Sequence, residues 1–292
     1  MTILYLLINF AANQGEVMLV KEYGRKYGSG GMIFNSVICL FAMIFFVVSD
    51  GDGMQFVPGL WQYGLINAIL YGAGFYFAYV AYRNGSYFIT QTVCSMNYLI
   101  PVCYGLLFLK EAASALTYAA LVVSVVAVFL MSYGQKTTDR GHDGRISLRW
   151  ILSVLIVLFS NGFISIIAKE QQKRFDGLYS NEFMVITLLG ASAFLFVAGL
   201  VTERSSLRRT ILRGGFYGMG AGLLNGVKNA ANLALILTIP LSVLSPLKKG
   251  VNMPLGFAVA RLVYKEKYTK LQYISIAFSV LSVILMQIDQ YL

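Results

Sequence analysis

Charge is scarce in this sequence. Of its 292 residues, 12% are Asp, Glu, Lys or Arg, while 58% are hydrophobic. A soluble domain carries about 25% charged residues, so the chain lacks the polar material to cover a water-exposed surface, and a soluble globular fold is excluded. Histidine occurs once, at His142, in a polar stretch, and one histidine without neighbouring ligands makes no metal site. The three cysteines, Cys39, Cys94 and Cys103, all fall in apolar segments. Cys94 and Cys103 lie nine positions apart and face opposite sides of one helix, so no disulfide framework is expected. Paired carboxylates and a nucleophile beside a base are also missing from the apolar segments. An enzyme is not expected, nor is a cofactor. The glycine run "GMGAG" at 218–222 follows no strand and is not read as a phosphate loop.

Long apolar runs are what the sequence does have. Ten of them reach the roughly 20 residues that a helix needs to cross a bilayer: 2–22, 29–49, 60–82, 86–109, 114–134, 149–169, 180–202, 214–236, 240–263 and 268–288. They are continuous rather than alternating, which argues against a β-barrel. The expected fold class is therefore an all-α integral membrane protein with ten transmembrane helices, multi-pass in the plasma membrane. The connections are short, except for a polar linker at 135–148. The first run has no basic leader and no small-residue cleavage site before Lys21, and reads as a retained helix.

The ten segments repeat as two sets of five. Asn13, Lys21 and Glu22 recur as Asn161, Lys169 and Glu170, 148 positions on. "GLINA" at 64–68 recurs as "GLLNG" at 222–226, 158 positions on. Asn97, Lys110 and Glu111 recur as Asn252, Lys265 and Glu266, 155 positions on, and Leu116, Tyr118 and Ser124 match Leu271, Tyr273 and Ser279 at the same offset. For the second and seventh segments only Phe34 and Phe183 offer a match. Five is odd, so the second set enters the membrane from the opposite side. The expected organisation is one membrane domain of two inverted five-helix repeats, 1–134 and 149–292, joined by the linker 135–148. Many secondary transporters share this arrangement, with the substrate site near the midplane.

The stretch "NYLIPVCYGLLFLKE" closes the fourth segment, with Pro101 in its middle and Glu111 at its end. On that motif and the duplication, the whole chain resembles the drug/metabolite transporter superfamily, EamA-type. In the second half Glu266 matches Glu111, but Gly256 stands at the proline position and Pro254 lies two residues earlier. The resemblance implies a cavity lined by helices 1, 3, 4, 6, 8 and 9. It leaves the substrate open among amino acids, drugs, nucleotide sugars and phosphorylated sugars. The stretch "PLKKGVNMPLGF" at 246–257 is similar to the lysine-bearing ninth helix of the sugar-phosphate and nucleotide-sugar branches.

Polar residues inside apolar helices are costly against lipid and normally face an interior or a watery cavity. Asn9, Asn13 and Glu16 share one face of the first helix, and Thr90, Cys94 and Asn97 one face of the fourth. Asn225, Lys228, Asn229 and Asn232 form a stripe on the eighth, and Lys249 and Asn252 lie one turn apart on the ninth. A single asparagine is commonly interhelical glue; a four-residue stripe points to a cavity wall. Lys248 and Lys249 lie roughly 12 Å along their helix at about 1.5 Å per residue. Lys249 shares a face with Asn252 and Gly256, while Lys248 is read as a partner of Glu16 or as a cap where Pro246 and Pro254 break the helix. Tyr71, Tyr76 and Tyr79 either stack on a substrate ring or serve packing. Gly214, Gly218, Gly222 and Gly226 form a ridge for close helix packing.

Lys228, Lys248 and Lys249 against Glu16 leave an interior excess of 3 − 1 = +2 charges, which favours an anionic substrate. The expected function is secondary transport of a small polar metabolite bearing a carboxylate or phosphate, by alternating access. Its expected site comprises Asn13, Glu16, Tyr71, Asn97, Asn225, Lys228, Asn229, Asn232, Lys249 and Asn252. Two alternatives stay open: proton-coupled export of cationic or aromatic compounds through Glu16, and a non-transporting scaffold or flippase subunit. In small multidrug-resistance proteins, distant relatives on this resemblance, a glutamate of the first helix binds protons; here the matching position is Asn13. The expected partners are the lipid bilayer, a small-molecule substrate and a coupling proton, not nucleic acid; the chain acts as a monomer or homodimer. Of the 23 lysines and arginines, four lie in loops on the side of the termini, sixteen on the other and three inside helices. That bias places both termini outside, whereas the resemblance implies cytoplasmic termini.

Overall fold

The computed structural model describes residues 1–27, 31–51, 53–84, 90, 93–111, 114–136, 147–204, 207–265 and 268–289, the side chains of 132, 134–136 and 286–289 excepted. His142, Glu266 and most of the linker 135–148 lie outside the described residues. Among the described residues all regular structure is helical. The elements are α1 (Thr2–Tyr27), α2 (Met32–Ser49), α3 (Leu60–Asn84), a 3₁₀ turn (Met96–Tyr98), α4 (Leu99–Leu107), α5 (Ala115–Lys136), α6 (Leu148–Arg174), α7 (Ser180–Thr202), α8 (Leu207–Thr238), α9 (Leu241–Leu262) and α10 (Lys270–Asp289). Five of them, α1, α2, α3, α6 and α7, are long and apolar enough to cross a membrane. Hydropathy runs counted ten crossings. The long α8 and α9 are diluted by their interior lysines and asparagines, and the apolar runs at Val93–Leu107, Ala115–Met131 and Lys270–Leu285 are shorter.

The helices form two compact units. Unit 1 comprises Met1–Tyr79 and Phe163–Thr238; unit 2 comprises Val80–Gly162 and Ile239–Leu292. Each draws on both sequence halves, so the units and the repeats are different divisions of the chain.

In unit 1, α1 lies along α8, and α2 packs against both α7 and α8. The α8 glycine ridge makes this possible. A Cβ at Gly222 would lie 2.6 Å from the Ile38 carbonyl oxygen, and one at Gly226 would lie 2.6 Å from the Phe45 ring. No side chain fits there, and the ridge is a packing surface as its spacing implied. Beside it, the Tyr23 and Phe34 rings stack at 3.9 Å. Between α2 and α7, the Ser36 hydroxyl donates to the Ser192 carbonyl at 2.9 Å, and the Ser192 hydroxyl donates to the Ser36 carbonyl at 2.9 Å. The two serines are 156 positions apart.

In unit 2, α5 lies along α10, and α9 packs against α4 and α10. Ser275 donates to the Ala127 carbonyl at 2.7 Å and Ser282 donates to the Ala120 carbonyl at 2.9 Å. Positions 120 and 275, and 127 and 282, each differ by 155.

The expected break in the ninth helix does not occur. Helix α9 runs unbroken through Pro246 and Pro254. A proline lacks the N–H that would bond the carbonyl four residues back. For Pro254 that carbonyl belongs to Gly250, and the Ser279 hydroxyl of α10 donates to it at 2.7 Å. Lys248 is thus not the cap of a broken helix. The fourth segment, by contrast, has a 3₁₀ turn at 96–98, so that Pro101 falls in the first turn of α4, where a backbone N–H would have no intrahelical partner. Glu111 caps α9: its two carboxylate oxygens accept the backbone N–H groups of Leu241 and Ser242, each at 2.9 Å. These are donors that a helix start leaves without intrahelical partners. Lys110 and Lys265, 155 positions apart, both adopt left-handed backbone, with φ of 51° and 55°.

Candidate functional site: an interior ion pair in unit 1 and a lysine face in unit 2

Unit 1 gathers five of the expected site residues into one bonded chain. Glu16 on α1 faces the polar stripe of α8. Lys228 Nζ donates to Glu16 Oε2 at 2.5 Å, and Asn225 Nδ2 donates to Glu16 Oε1 at 2.8 Å. Asn229 Nδ2 donates to Asn225 Oδ1 at 2.7 Å. The Tyr71 hydroxyl of α3 closes the chain by donating to Asn229 Oδ1 at 3.5 Å. The spacing 225, 228, 229 puts three side chains on one helical face, which is why one carboxylate meets them together. Every bond in the chain points its hydrogen toward Glu16. Asn9, 2% exposed, donates to the backbone carbonyl of Lys228 at 2.9 Å and fixes α1 against α8 at this level. The pair itself keeps some access, with side-chain exposures of 23% for Lys228 and 15% for Glu16. Asn13 and Asn232 are half-buried on the same two helices.

Lys228, expected as a holder of substrate anion, is paired with Glu16, a pairing that was one of two expectations for Lys248. Cys39 on α2 was read only for its disulfide potential; it feels the charges of both Glu16 and Lys228, and no sequence spacing indicates this. Asn67, expected from the sequence to match Asn225, has a packing role: it is 1% exposed and donates to Thr187 at 3.3 Å. Tyr76 packs edge-on to Phe77 and Phe194, the packing alternative left open for that tyrosine.

In unit 2, Lys249 and Asn252 on α9 and Asn97 at the 3₁₀ turn are half-buried. Lys249 interacts electrostatically with Cys94. The other members of the fourth-segment stripe are structural. Thr90 accepts the indole N–H of Trp150 at 2.8 Å, and Cys94 packs against the cluster of Ala81, Trp150 and Val154. Helix α9 carries two lysines and no acidic residue before Arg261. Among the described residues no group of three or more His, Cys, Asp or Glu is placed to hold a metal ion.

No protein-family model matches the chain, and no curated protein matches it. Solved structures do share its fold. One, described only as a crystal structure of a protein, superimposes with a TM-score of 0.74 at 13% identity, over 97% of this chain and 98% of that one. At that identity the likeness concerns the fold alone.

Proposed function

We propose that the chain is a secondary transporter of the drug/metabolite transporter superfamily, EamA-type, with ten membrane-crossing helices in two inverted five-helix repeats. It moves a small polar metabolite bearing a carboxylate or phosphate across the plasma membrane by alternating access.

Three reciprocal contacts support the repeat. A two-fold relation makes each residue touch the counterpart of its own partner. Ser36 and Ser192 exchange hydrogen bonds with each other. Tyr71 bonds Asn229, its counterpart 158 positions on. The 275–127 and 282–120 bonds swap two corresponding pairs.

The anion reading rests on one observation: α9 carries Lys248 and Lys249, both half-buried, and no acidic residue before Arg261. An ammonium binds a carboxylate or phosphate as a point charge. The Glu16–Lys228 ion pair weighs against export of cations through Glu16, because a cationic substrate would have to displace Lys228. The loop charge bias supports a topology with both termini outside.

Uptake into proteoliposomes of labelled metabolites grouped by charge tests the proposal. Anionic metabolites are expected to accumulate. Uptake confined to cations would favour export through Glu16, and no uptake of any class would favour the scaffold reading.

A further inference from the structure

We infer that the Glu16–Lys228 pair is a proton-linked anion switch: protonation of Glu16 releases the Lys228 ammonium to bind the carboxylate or phosphate of a small anion. The inference rests on the anion-transport reading above and adds its coupling mechanism.

The two carboxylate oxygens of Glu16 are not equivalent. Oε1 is held by the Asn225 amide at 2.8 Å, while Oε2 faces Lys228 Nζ. A carboxyl accepting a hydrogen bond at Oε1 keeps that atom as its carbonyl oxygen, so the proton goes to Oε2. There the new O–H confronts the Lys228 N–H, donor against donor, and the charge attraction is gone. Lys228 then holds an uncompensated positive charge in an interior site, which is costly until an anion arrives. An anion arriving without the proton would leave the Glu16 charge uncompensated at the same cost. The neutral pair gains one proton and one monoanion, so the empty and loaded states carry the same net charge. Each ligand therefore favours the other.

The surroundings suit this exchange. Asn9 holds the backbone of Lys228 from α1, so the ammonium can swing while its helix stays fixed. The pair is partly exposed, at 23% and 15%. Among the described residues, Cys39 on α2 and Tyr71 on α3 also feel the charge of Glu16, and a thiol and a phenol are ordinarily neutral below about pH 8.

The experiment measures thermal stability of the purified full-length protein with acetate, lactate or dimethyl phosphate. Each stays a monoanion between about pH 6.5 and about pH 7.5. A ligand that binds the folded state raises apparent stability. One proton taken up per anion makes apparent affinity rise about tenfold per unit fall in pH, by reciprocity of linked binding. Glu16→Gln mimics the protonated state and is expected to bind the probe with the same affinity at both pH values. A second readout needs no variant: adding the probe to weakly buffered wild-type protein is expected to take up about one proton per bound anion. Binding of equal strength at both pH values with no proton uptake overturns the switch and leaves anion transport standing. No stabilisation by any probe at either pH overturns both.

Discussion

Lys228 and Glu16 hold each other's charge inside the protein, so neither can be removed cheaply alone. Losing one member of a buried ion pair costs about 3–5 kcal/mol, less where the pair is partly exposed, as it is here. Glu16→Ala and Lys228→Ala are each expected to lower stability by about 2–4 kcal/mol on that basis. The double variant is expected to lose clearly less than the sum, because it leaves no orphan charge. Unfolding curves for the four proteins give the coupling, and strict additivity would show that the pair is not a pair in solution. The stripe of Asn225, Lys228 and Asn229 was legible from helical periodicity alone, as was the shared face of Asn9 and Glu16. The bond between them was not. It joins positions 212 apart, and a sum of interior charges is the same whichever lysine Glu16 chooses. Asn67 shows the converse limit: Asn225, its expected match, holds a carboxylate, while Asn67 itself bonds a threonine.

Helix bounds followed hydropathy closely, because a long apolar run leaves few alternatives to a helix. The departures occur where tertiary contacts replace missing backbone bonds. Ser279 supplies the donor that Pro254 cannot, so α9 stays whole although local rules predict a break. Nothing within α9 reveals this, since the serine lies on α10. The glycine ridge of α8 was legible, and it yields a paired test. Gly222→Ala places a methyl group against the Ile38 backbone oxygen and is expected to cost about 1–3 kcal/mol, the usual range for overpacking. Gly215→Ala meets nothing within 4 Å and is expected to gain up to about 1 kcal/mol from helix propensity. Equal effects at the two sites would contradict the close approach of α2 and α8. Glu111 reads in sequence as a family signature; in the fold it caps α9. Glu111→Ala is expected to lower stability by about 1–3 kcal/mol, since two backbone donors lose their acceptor, and an unchanged midpoint would contradict that role.

At the scale of the whole chain, the sequence offers matches for four of the five pairs of the proposed repeat. For α2 with α7 it offers little, and the contact there is carried by Ser36 and Ser192 among apolar residues that packing lets vary. Their hydroxyl oxygens lie 3.1 Å apart. Ser36→Cys with Ser192→Cys is therefore expected to form a disulfide under mild oxidation, seen by mass spectrometry of the digested chain; free thiols throughout would contradict the reciprocal geometry. The ligand of the proposed transport was less legible than the fold, because point charges on helices specify the sign of a ligand and not its shape. The measurement that bears most directly on the account is the thermal stability of wild type and Lys249→Ala against metabolites grouped by charge. A ligand that binds only the folded state must raise apparent stability. The account predicts that carboxylates or phosphates stabilise wild type and that Lys249→Ala weakens the effect, the part that remains falling to Lys228. Stabilisation by cations alone, or by anions equally in both proteins, would contradict it.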